Sequence, residues 1–190
     1  MPFLIGATLR FSLAPYRYGD GVRFDLLPVS RDLWHVLGHR PNIPTPGTNV
    51  RAAVCGAYRY PEGPFLATYG SRSVNTDLFL PLLTLLVKRS KRTKRVIVLV
   101  LDNARYFRKA KRAQTRLNQI RQWVIVFWLP RYSSQKLNRI ENLWGHLKDD
   151  FFGRMLVKRR KRFLREVVKL LKRLQRRRSI HNLFGSSLPT

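Results

Sequence analysis

The sequence has little cysteine, few acidic residues and no long apolar run, and each scarcity excludes a class of protein. The single cysteine, Cys55, excludes an internal disulfide framework and a zinc site built from several cysteines. The longest purely apolar runs, such as VIVLVL at 96–101, are too short to cross a bilayer. The N-terminal MPFLIGATLRF lacks the charged segment and the long apolar stretch of a signal peptide. We therefore expect a soluble, cytoplasmic protein, associated with the nucleoid if the source is bacterial.

Basic residues greatly outnumber acidic ones. The 190 residues include 38 Lys or Arg and 10 Asp or Glu, which leaves a formal net charge of +28. A free molecule with this charge repels its own copies, and the usual partner that relieves such a field is nucleic acid. An anionic membrane surface is the weaker alternative. Because 44% of the residues are hydrophobic and 12% are aromatic, the chain has enough apolar material for one folded domain.

The order of the apolar patterns predicts an α/β protein with a central sheet. β-prone runs on both sides of the turn YPEG at 60–63 predict an antiparallel hairpin within 50–70. The apolar runs at 96–101 and 123–129 predict two strands covered on both faces, joined by an amphipathic basic helix. A helix begins near Asn75, with Pro81 a candidate for its first turn, and a solvated basic loop follows at 88–95. The segment before Asp20 would form a strand that Pro15 weakens or confines to an edge.

Two more helices are predicted towards the C-terminus. Asn138 can cap the first of them, with Glu141 three residues later completing a capping box. In the tail at 154–178, 13 basic residues accompany one acid, Glu166, while apolar residues keep helical spacing. The candidate DNA-binding residues are Arg105, Arg108, Lys109, Lys111, Arg112, Lys158, Arg159, Arg160, Lys161 and Arg162.

Two of the ten acidic residues occupy informative positions. Asp102 directly follows a predicted buried strand, which is where open α/β sheets place ligands. If Asp102 and Glu141 converge, their oxygens suit a hard divalent cation. The plainer interpretation is that Asp102 caps a helix and Glu141 completes the capping box. Composition leaves both interpretations open.

The segments VIVLVLDNARYF at 96–107 and WLPRYSSQKLNRIENLWGHLK at 128–148 closely resemble two signatures of DDE transposases of the mariner and insertion-sequence 630 type. The second match spans about twenty positions and is specific. Upstream, GDGVRFDLLPVSRDLWHVLGHRPNIPTPGTNV at 19–50 resembles the family's first-acid strand and Pro-rich loop, and CGAYRYPEGPFLATYG at 55–70 resembles the hairpin that follows. The resemblance covers the chain to about residue 150, and by position it assigns the family's acidic triad to Asp20, Asp102 and Glu141.

The resemblance implies a fold, a metal site and an activity. The fold is that of ribonuclease H, a mixed sheet flanked by helices, expected over residues 1–153, with a basic amphipathic helix and tail over 154–190. The triad would be both the catalytic residues and the ligands of two Mg²⁺ or Mn²⁺ ions, which act on the attacking and leaving oxygens of a phosphodiester. The implied activity is DNA strand cleavage and strand transfer in the transposition of an insertion sequence. DNA is the implied partner, as element ends and as target, and a homodimer is a further expectation.

The sequence departs from the family's pattern in two ways. Arg131, Ser134 and Arg139 stand where the motif usually has proline, and Arg139 would leave Glu141 less firmly placed and put a cation beside it. Arg23 and Phe107 stand where the family often has histidine. The 19 residues before Asp20 are too few for the helix-turn-helix region that these transposases usually carry, so we expect a catalytic half or a fragment. A separate polypeptide would then supply end recognition.

Two functions therefore remain open at the level of the sequence. One is a catalytically competent transposase domain. The other is an inactive, truncated remnant that acts at most as a non-specific DNA-binding protein.

Overall fold

The computed structural model describes residues 15–26, 50–60, 63–70, 73–152 and 159–177, which form a five-stranded sheet with helices on both faces. The strands are β1 (Tyr16–Asp25), β2 (Arg51–Tyr58), β3 (Phe65–Gly70), β4 (Ile97–Leu101) and β5 (Val124–Trp128). The helices are α1 (Thr76–Thr93), α2 (Arg105–Arg108), α3 (Lys111–Gln119), α4 (Ser134–Leu137), α5 (Ile140–His146) and α6 (Arg160–Arg176), and a π-helical turn (Leu147–Phe152) continues α5.

The central strand of the sheet is β1, in the order β3-β2-β1-β4-β5. It pairs antiparallel with β2 and parallel with β4, while β2–β3 is antiparallel and β4–β5 parallel. This arrangement confirms the α/β class, the hairpin and the ribonuclease H-like mixed sheet. The expectation that Pro15 makes the first strand weak or peripheral is wrong. Pro15 lies just before the strand, so its missing N–H costs the ladder nothing, and its carbonyl accepts a hydrogen bond from the Val98 N–H.

The sheet separates two hydrophobic cores. One contains alternate residues of β1, β2 and β3 packed against α5 and α6, with Trp144 and Phe163 among its largest side chains. The other contains alternate residues of β4 and parts of β2 and β5 packed against α1 and α3. Successive side chains of a strand point to opposite faces of the sheet, so a strand buried on both faces has a continuous apolar sequence. All five residues of β4 are buried accordingly.

Helix α1 is longer than the sequence pattern predicts. Asn75 is its N-cap as expected, since its side chain accepts a hydrogen bond from the Leu78 N–H. Pro81 lies inside the helix rather than in its first turn. The helix continues to Thr93, so the prediction of a basic loop at 88–95 is wrong for most of that segment. Ser90 is buried there and its hydroxyl donates to the Arg95 carbonyl. The basic residues of this segment therefore lie on a helix whose other side is packed against the core.

Two features of the β4–β5 unit also differ from expectation. The predicted single helix is divided into α2 and α3, because Ala110 has extended backbone angles. The amide of Gln114 bridges the break by donating to the Phe107 carbonyl. Strand β5 lies at the edge of the sheet, and only Val124 of its five residues is buried, with Phe127 exposed. The prediction that β5 is covered on both faces is therefore wrong.

The C-terminal helix α6 is an integral part of the first core. Phe163, Val167, Leu171 and Leu174 are buried, as their helical spacing predicts, and Gln175 donates to the Ala67 carbonyl of β3. Residues 153–158, including the candidate DNA-binding residue Lys158, lie outside the described part of the chain, as do Trp34 and the Pro-rich segment within 27–49. Among the described helices, none has the length and apolar character needed to cross a bilayer.

The capping contact at the start of α1 gives a direct test of the fold. Asn75→Ala removes the side-chain acceptor of the Leu78 N–H, and we expect the free energy of unfolding to fall by about 1 kcal/mol in urea denaturation. Asn118→Ala makes the same substitution at an exposed position inside α3 and serves as the control. An equal loss in both variants would contradict the cap.

Candidate active site

Asp20, Asp102 and Glu141 line one cavity of about 570 Å³, which we call the acid cavity. The parallel register explains how two of them meet. Gly19 of β1 lies opposite Leu101 of β4, so the next residue on each strand is an aspartate. Asp102 follows the carboxyl end of β4, where open α/β sheets place ligands, and Asp20 lies within β1 at the same level.

Glu141 reaches the acid cavity from helix α5, which crosses the sheet at this point. Trp144 lies three residues later on the same helical face. Its indole Nε1–H donates a hydrogen bond of 3.1 Å to Oδ2 of Asp20. The third acid is thus carried by the helix whose tryptophan is bonded to the first acid.

A glycine makes room for this tryptophan. Gly56 of β2 lies opposite Asp20 in the antiparallel register. A Cβ at Gly56 would come within 2.8 Å of Cη2 of Trp144 and 2.8 Å of Cε2 of Phe65. The indole also makes edge-to-face contacts with Phe24 and Phe65, at centroid distances of 6.2 and 5.8 Å. The ring is therefore fixed against the sheet with its N–H directed at the carboxylate.

Asn138 fastens the start of α5 to the central strand. It is 1% exposed, and its side-chain Nδ2 donates to the Gly19 carbonyl at 3.2 Å. The predicted capping box is wrong, because Arg139 is the N-cap of α5 and no side chain caps this helix. The amide of Asn138 instead joins α5 to the residue immediately before Asp20.

The substitution of Arg139 for a motif proline leaves the helix geometry intact. Arg139 has a φ of −61°, which is the angle that proline would impose. Its guanidinium lies over the Tyr60 ring, 5.3 Å from the centroid. The expectation of a cation beside Glu141 is met by a different residue, since Lys148 lines the acid cavity and its charge lowers the pKa of Glu141.

Burial raises the pKa of all three acids, and the charge of a neighbouring carboxylate adds to this rise for Asp20 and Glu141. For Asp20, which is 6% exposed, burial and then the charge of Glu141 raise the pKa to about 8. Burial raises the pKa of Asp102, and burial followed by the charge of Asp102 raises that of Glu141. The hydrogen bond from Trp144 acts in the opposite direction on the pKa of Asp20. Ionising three neighbouring buried carboxyl groups together costs free energy, and a bound cation lowers that cost.

The donor set fits a hard divalent cation. Carboxylate oxygens are the ligands that Mg²⁺ prefers, and the acid cavity is lined by the three acids that would supply them. As the side chains stand, no group of three or more His, Cys, Asp or Glu within the described ranges is close enough to hold a metal ion. The acids thus share a cavity without forming a closed metal cluster.

Asp102 and Asn103 also support the local backbone. Oδ1 of Asp102 accepts from the Ala104 N–H at 3.1 Å, in a turn that precedes α2 and leaves Ala104 as its N-cap. Nδ2 of Asn103 donates to the Leu129 carbonyl at 2.6 Å, which ties the end of β4 to the end of β5. The side chain of Arg108 donates to Asn103 Oδ1.

Several residues of the site are not singled out by the sequence pattern. Lys148 and Tyr106 line the acid cavity, and burial raises the pKa of the Tyr106 phenol well above its ordinary value. Lys148 follows Glu141 by seven residues, two turns along the chain, which is the signal that could have found it. Trp144 is buried, and its role as a donor to Asp20 depends on a contact between residues that are 124 positions apart in the chain.

The candidate DNA-binding residues divide into groups. Arg105, Arg108 and Lys109 line a second cavity of about 640 Å³ that also contains Asp102, which we call the basic cavity. Lys111 and Arg112 border a hollow of about 950 Å³ between α1 and α3, in which no described lining residue is acidic. Arg159, Arg160, Lys161 and Arg162 are exposed at the start of α6 and are not among the described residues lining the acid cavity.

Comparison with known proteins identifies relatives of this arrangement. The sequence profile of the family described as DDE superfamily endonuclease matches residues 15–164. Among curated proteins, the insertion element IS630 uncharacterized 39 kDa protein of Shigella sonnei is 30% identical over 135 residues, which is 71% of this chain.

Solved structures of Mos1 transposase share the fold. The Mos1 transposase paired-end complex with left transposon end has a TM-score of 0.65 at 15% identity and covers 95% of this chain. The mariner Mos1 paired end complex with Mg has a TM-score of 0.57 at 15% identity and covers 83% of this chain. The chain spans 38% of the length of the curated relative and 54% and 48% of the two Mos1 chains.

The raised pKa values predict how stability depends on pH when divalent cations are chelated. Asp20 has a pKa of about 8 in the folded protein against an ordinary value of 3.8, so the folded state binds the proton more tightly than the unfolded state. The contribution of Asp20 to stability is then fully present below about pH 4 and is lost as the pH rises to about 8. One pKa unit corresponds to about 1.4 kcal/mol, so the loss amounts to a few kcal/mol.

Urea denaturation at a series of pH values measures this effect. Asp20→Asn should remove most of the fall, whereas Asp25→Asn, on the same strand, should leave it in place. A fall that is unchanged in Asp20→Asn would show that another group causes it.

Proposed function

The chain belongs to the DDE superfamily of endonucleases, and we propose that it is the catalytic domain of a DNA transposase that cleaves DNA strands and transfers them. The observation that carries the proposal is the joint position of Asp20, Asp102 and Glu141 in one cavity beside the carboxyl end of β4. The similarity to the IS630 protein supports the assignment to an insertion sequence. In this proposal residues 1–153 form the catalytic domain and 154–190 a basic helix and tail.

The three acids would hold divalent cations. We propose Mg²⁺ or Mn²⁺, two ions, and the fold shared with the mariner Mos1 paired end complex with Mg supports this choice. Bound there, the ions would activate a water or a 3′-hydroxyl and stabilise the leaving oxygen of a phosphodiester. Trp144 and Asn138 would keep Asp20 and Glu141 at fixed positions on either side of the substrate phosphate, because each bonds α5 to β1.

DNA binding is supported by the distribution of charge. Arg105, Arg108 and Lys109 are exposed beside Asp102, and Lys148 is exposed at the rim of the acid cavity. Cations around a carboxylate cluster attract the phosphate backbone to a site that would otherwise repel it. The similar Mos1 structures are paired-end complexes, one of them with the left transposon end, which supports DNA as the partner. A separate polypeptide for end recognition and a homodimer belong to the same proposal.

A second function is a DNA-binding remnant without turnover. It is favoured by one observation, that the described acids do not form a closed metal cluster as they stand. This protein would bind DNA in a salt-sensitive way and cleave nothing under any divalent cation.

Nicking of supercoiled plasmid distinguishes the two functions. With Mg²⁺ or Mn²⁺ present, Asp102→Asn should reduce the rate at least about a hundredfold, since even indirect supports of a metal site cost about 10- to 100-fold when they are lost. Asp25→Asn is the matched control, because Asp25 also lines the acid cavity but is paired with Arg23 and Arg51. Equal loss in both variants would remove the assigned triad, and no nicking by the unaltered protein would favour the remnant.

The salt dependence of DNA binding tests the cationic surface. The double change Arg105→Ala and Lys109→Ala should weaken binding and make the slope of log K against log salt shallower by about 1 to 2, at about 0.9 per phosphate contact. Lys88→Ala with Arg92→Ala is the control. These two exposed residues lie near the C-terminal end of α1, shortly before β4. They precede the N-terminal end of β4, whereas Asp102 follows its C-terminal end. Fluorescence anisotropy with a labelled duplex measures both slopes. Identical slopes in the two double variants would contradict the proposal that Arg105 and Lys109 contact DNA.

A further inference from the structure

The basic cavity adjoins the acid cavity and is formed by two segments. One segment follows β4 and contributes Asp102 and, at the start of α2, Arg105. The other follows β5 and contributes Arg131, Tyr132 and, at the start of α4, Ser134. Asp102 lines both cavities. Whatever occupies the basic cavity is therefore next to the proposed reaction site.

Tyr132 is the most unusual residue of this cavity. Its side chain is fully exposed, at 101% relative accessibility, although it is a large aromatic residue. Its φ is +60°, and among the described non-glycine residues only Lys94, at the C-cap of α1, shares a positive φ. A bulky residue in this region is disfavoured, and such strain persists where the surrounding structure imposes it.

The turn that carries Tyr132 is held in place on both sides. The Ser133 hydroxyl donates to the Pro130 carbonyl at 2.8 Å, and Asn103 binds the Leu129 carbonyl. The turn that exposes the Tyr132 ring to solvent is thus fixed by hydrogen bonds, one of which joins it to the segment that contains Asp102.

Cations line the same cavity as the Tyr132 ring. Arg105, Arg108, Lys109 and Arg131 line the cavity and are exposed, with Asp102 as the acidic residue among the lining. Arg108 is fixed over the Trp128 ring, 5.6 Å from the centroid. An exposed aromatic ring within a group of cations is the combination by which proteins bind single-stranded nucleic acid, since bases stack on the ring while phosphates contact the cations.

We propose that the basic cavity binds an unpaired nucleotide of the DNA strand next to the phosphate held in the acid cavity, with its base stacked on Tyr132. This inference rests on the proposed function and adds a subsite to it. A base inside a duplex exposes only its edges, and taking it out of the stack costs a few kcal/mol. The subsite therefore selects a nucleotide beside a break, at a frayed end or in a distorted segment.

The test is a binding experiment without divalent cations, so that it does not depend on cleavage. The full chain is titrated into a duplex with a short 3′ overhang that carries 2-aminopurine in the overhang. Stacking on Tyr132 should quench the fluorescence of this base. Tyr132→Phe should retain the quenching and the affinity, whereas Tyr132→Gly should lose the quenching and bind about 5- to 150-fold more weakly.

Tyr132→Gly also separates a ligand contact from a structural role. Glycine adopts a positive φ without strain, so this variant should melt a few degrees higher than the unaltered protein while it binds less tightly. Tyr69→Ala is the control for loss of an exposed tyrosine, because Tyr69 is 48% exposed on β3, at the other edge of the sheet.

Three outcomes would overturn the inference. They are unchanged quenching in Tyr132→Gly, an equal effect of Tyr132→Gly on a blunt, fully paired duplex, and no binding of either DNA. If the subsite binds the overhang and the plasmid is not nicked, the proposed activity fails and the subsite stands. If the plasmid is nicked normally by Tyr132→Gly and quenching never occurs, the subsite fails and the activity stands.

Discussion

The hydrogen bond from Trp144 to Asp20 is the contact on which the arrangement of the acids depends. It joins the central strand to the helix that carries Glu141, across a chain separation of 124 residues. The second bond between the same two elements, from Asn138 to the Gly19 carbonyl, lies at the start of that helix. Since β1 also carries β4 beside it in parallel register, these two bonds fix Glu141 relative to both aspartates. Both hydrogen bonds are buried. Loss of one partner of a buried hydrogen bond costs more free energy than the same loss in water.

The same geometry explains why the substitutions at motif prolines leave α5 in position. Arg139 adopts by itself the backbone angle that a proline would impose, and its charge is directed over Tyr60 rather than at Glu141. The position of the helix is determined by its buried contacts with the sheet, through Ile140, Leu143 and Trp144. Preorganisation by proline stabilises an arrangement, but tertiary packing is sufficient to define it.

Much of the fold could be predicted from the sequence, and the resemblance to a known family pointed to the three acids that share the acid cavity. The apolar runs at β4 and β5 and the turn before β3 are local signals, and the spacing of apolar residues predicts the buried face of α6. The errors arise where distant contacts decide. The basic end of α1 stays helical because Ser90 is buried, and β5 is an edge strand because of the sheet order. The side chain of Asn138 donates to a carbonyl of β1 and does not cap the helix that follows it. The sequence pattern does not reveal Lys148 and Tyr132 for related reasons, since a cavity lining and a positive φ are properties of the folded chain.

Asp102 forms part of the wall between the acid cavity and the basic cavity, and this links what the two can hold. A cation that neutralises Asp102 from one side also removes the one described negative charge from the lining of the other, which strengthens the attraction of its cations for a phosphate. If a cation and a phosphate bind as proposed, their binding is cooperative through this one carboxylate. Thermodynamic linkage then requires that an anion in the basic cavity increase the affinity of the acid cavity for a cation by the same factor.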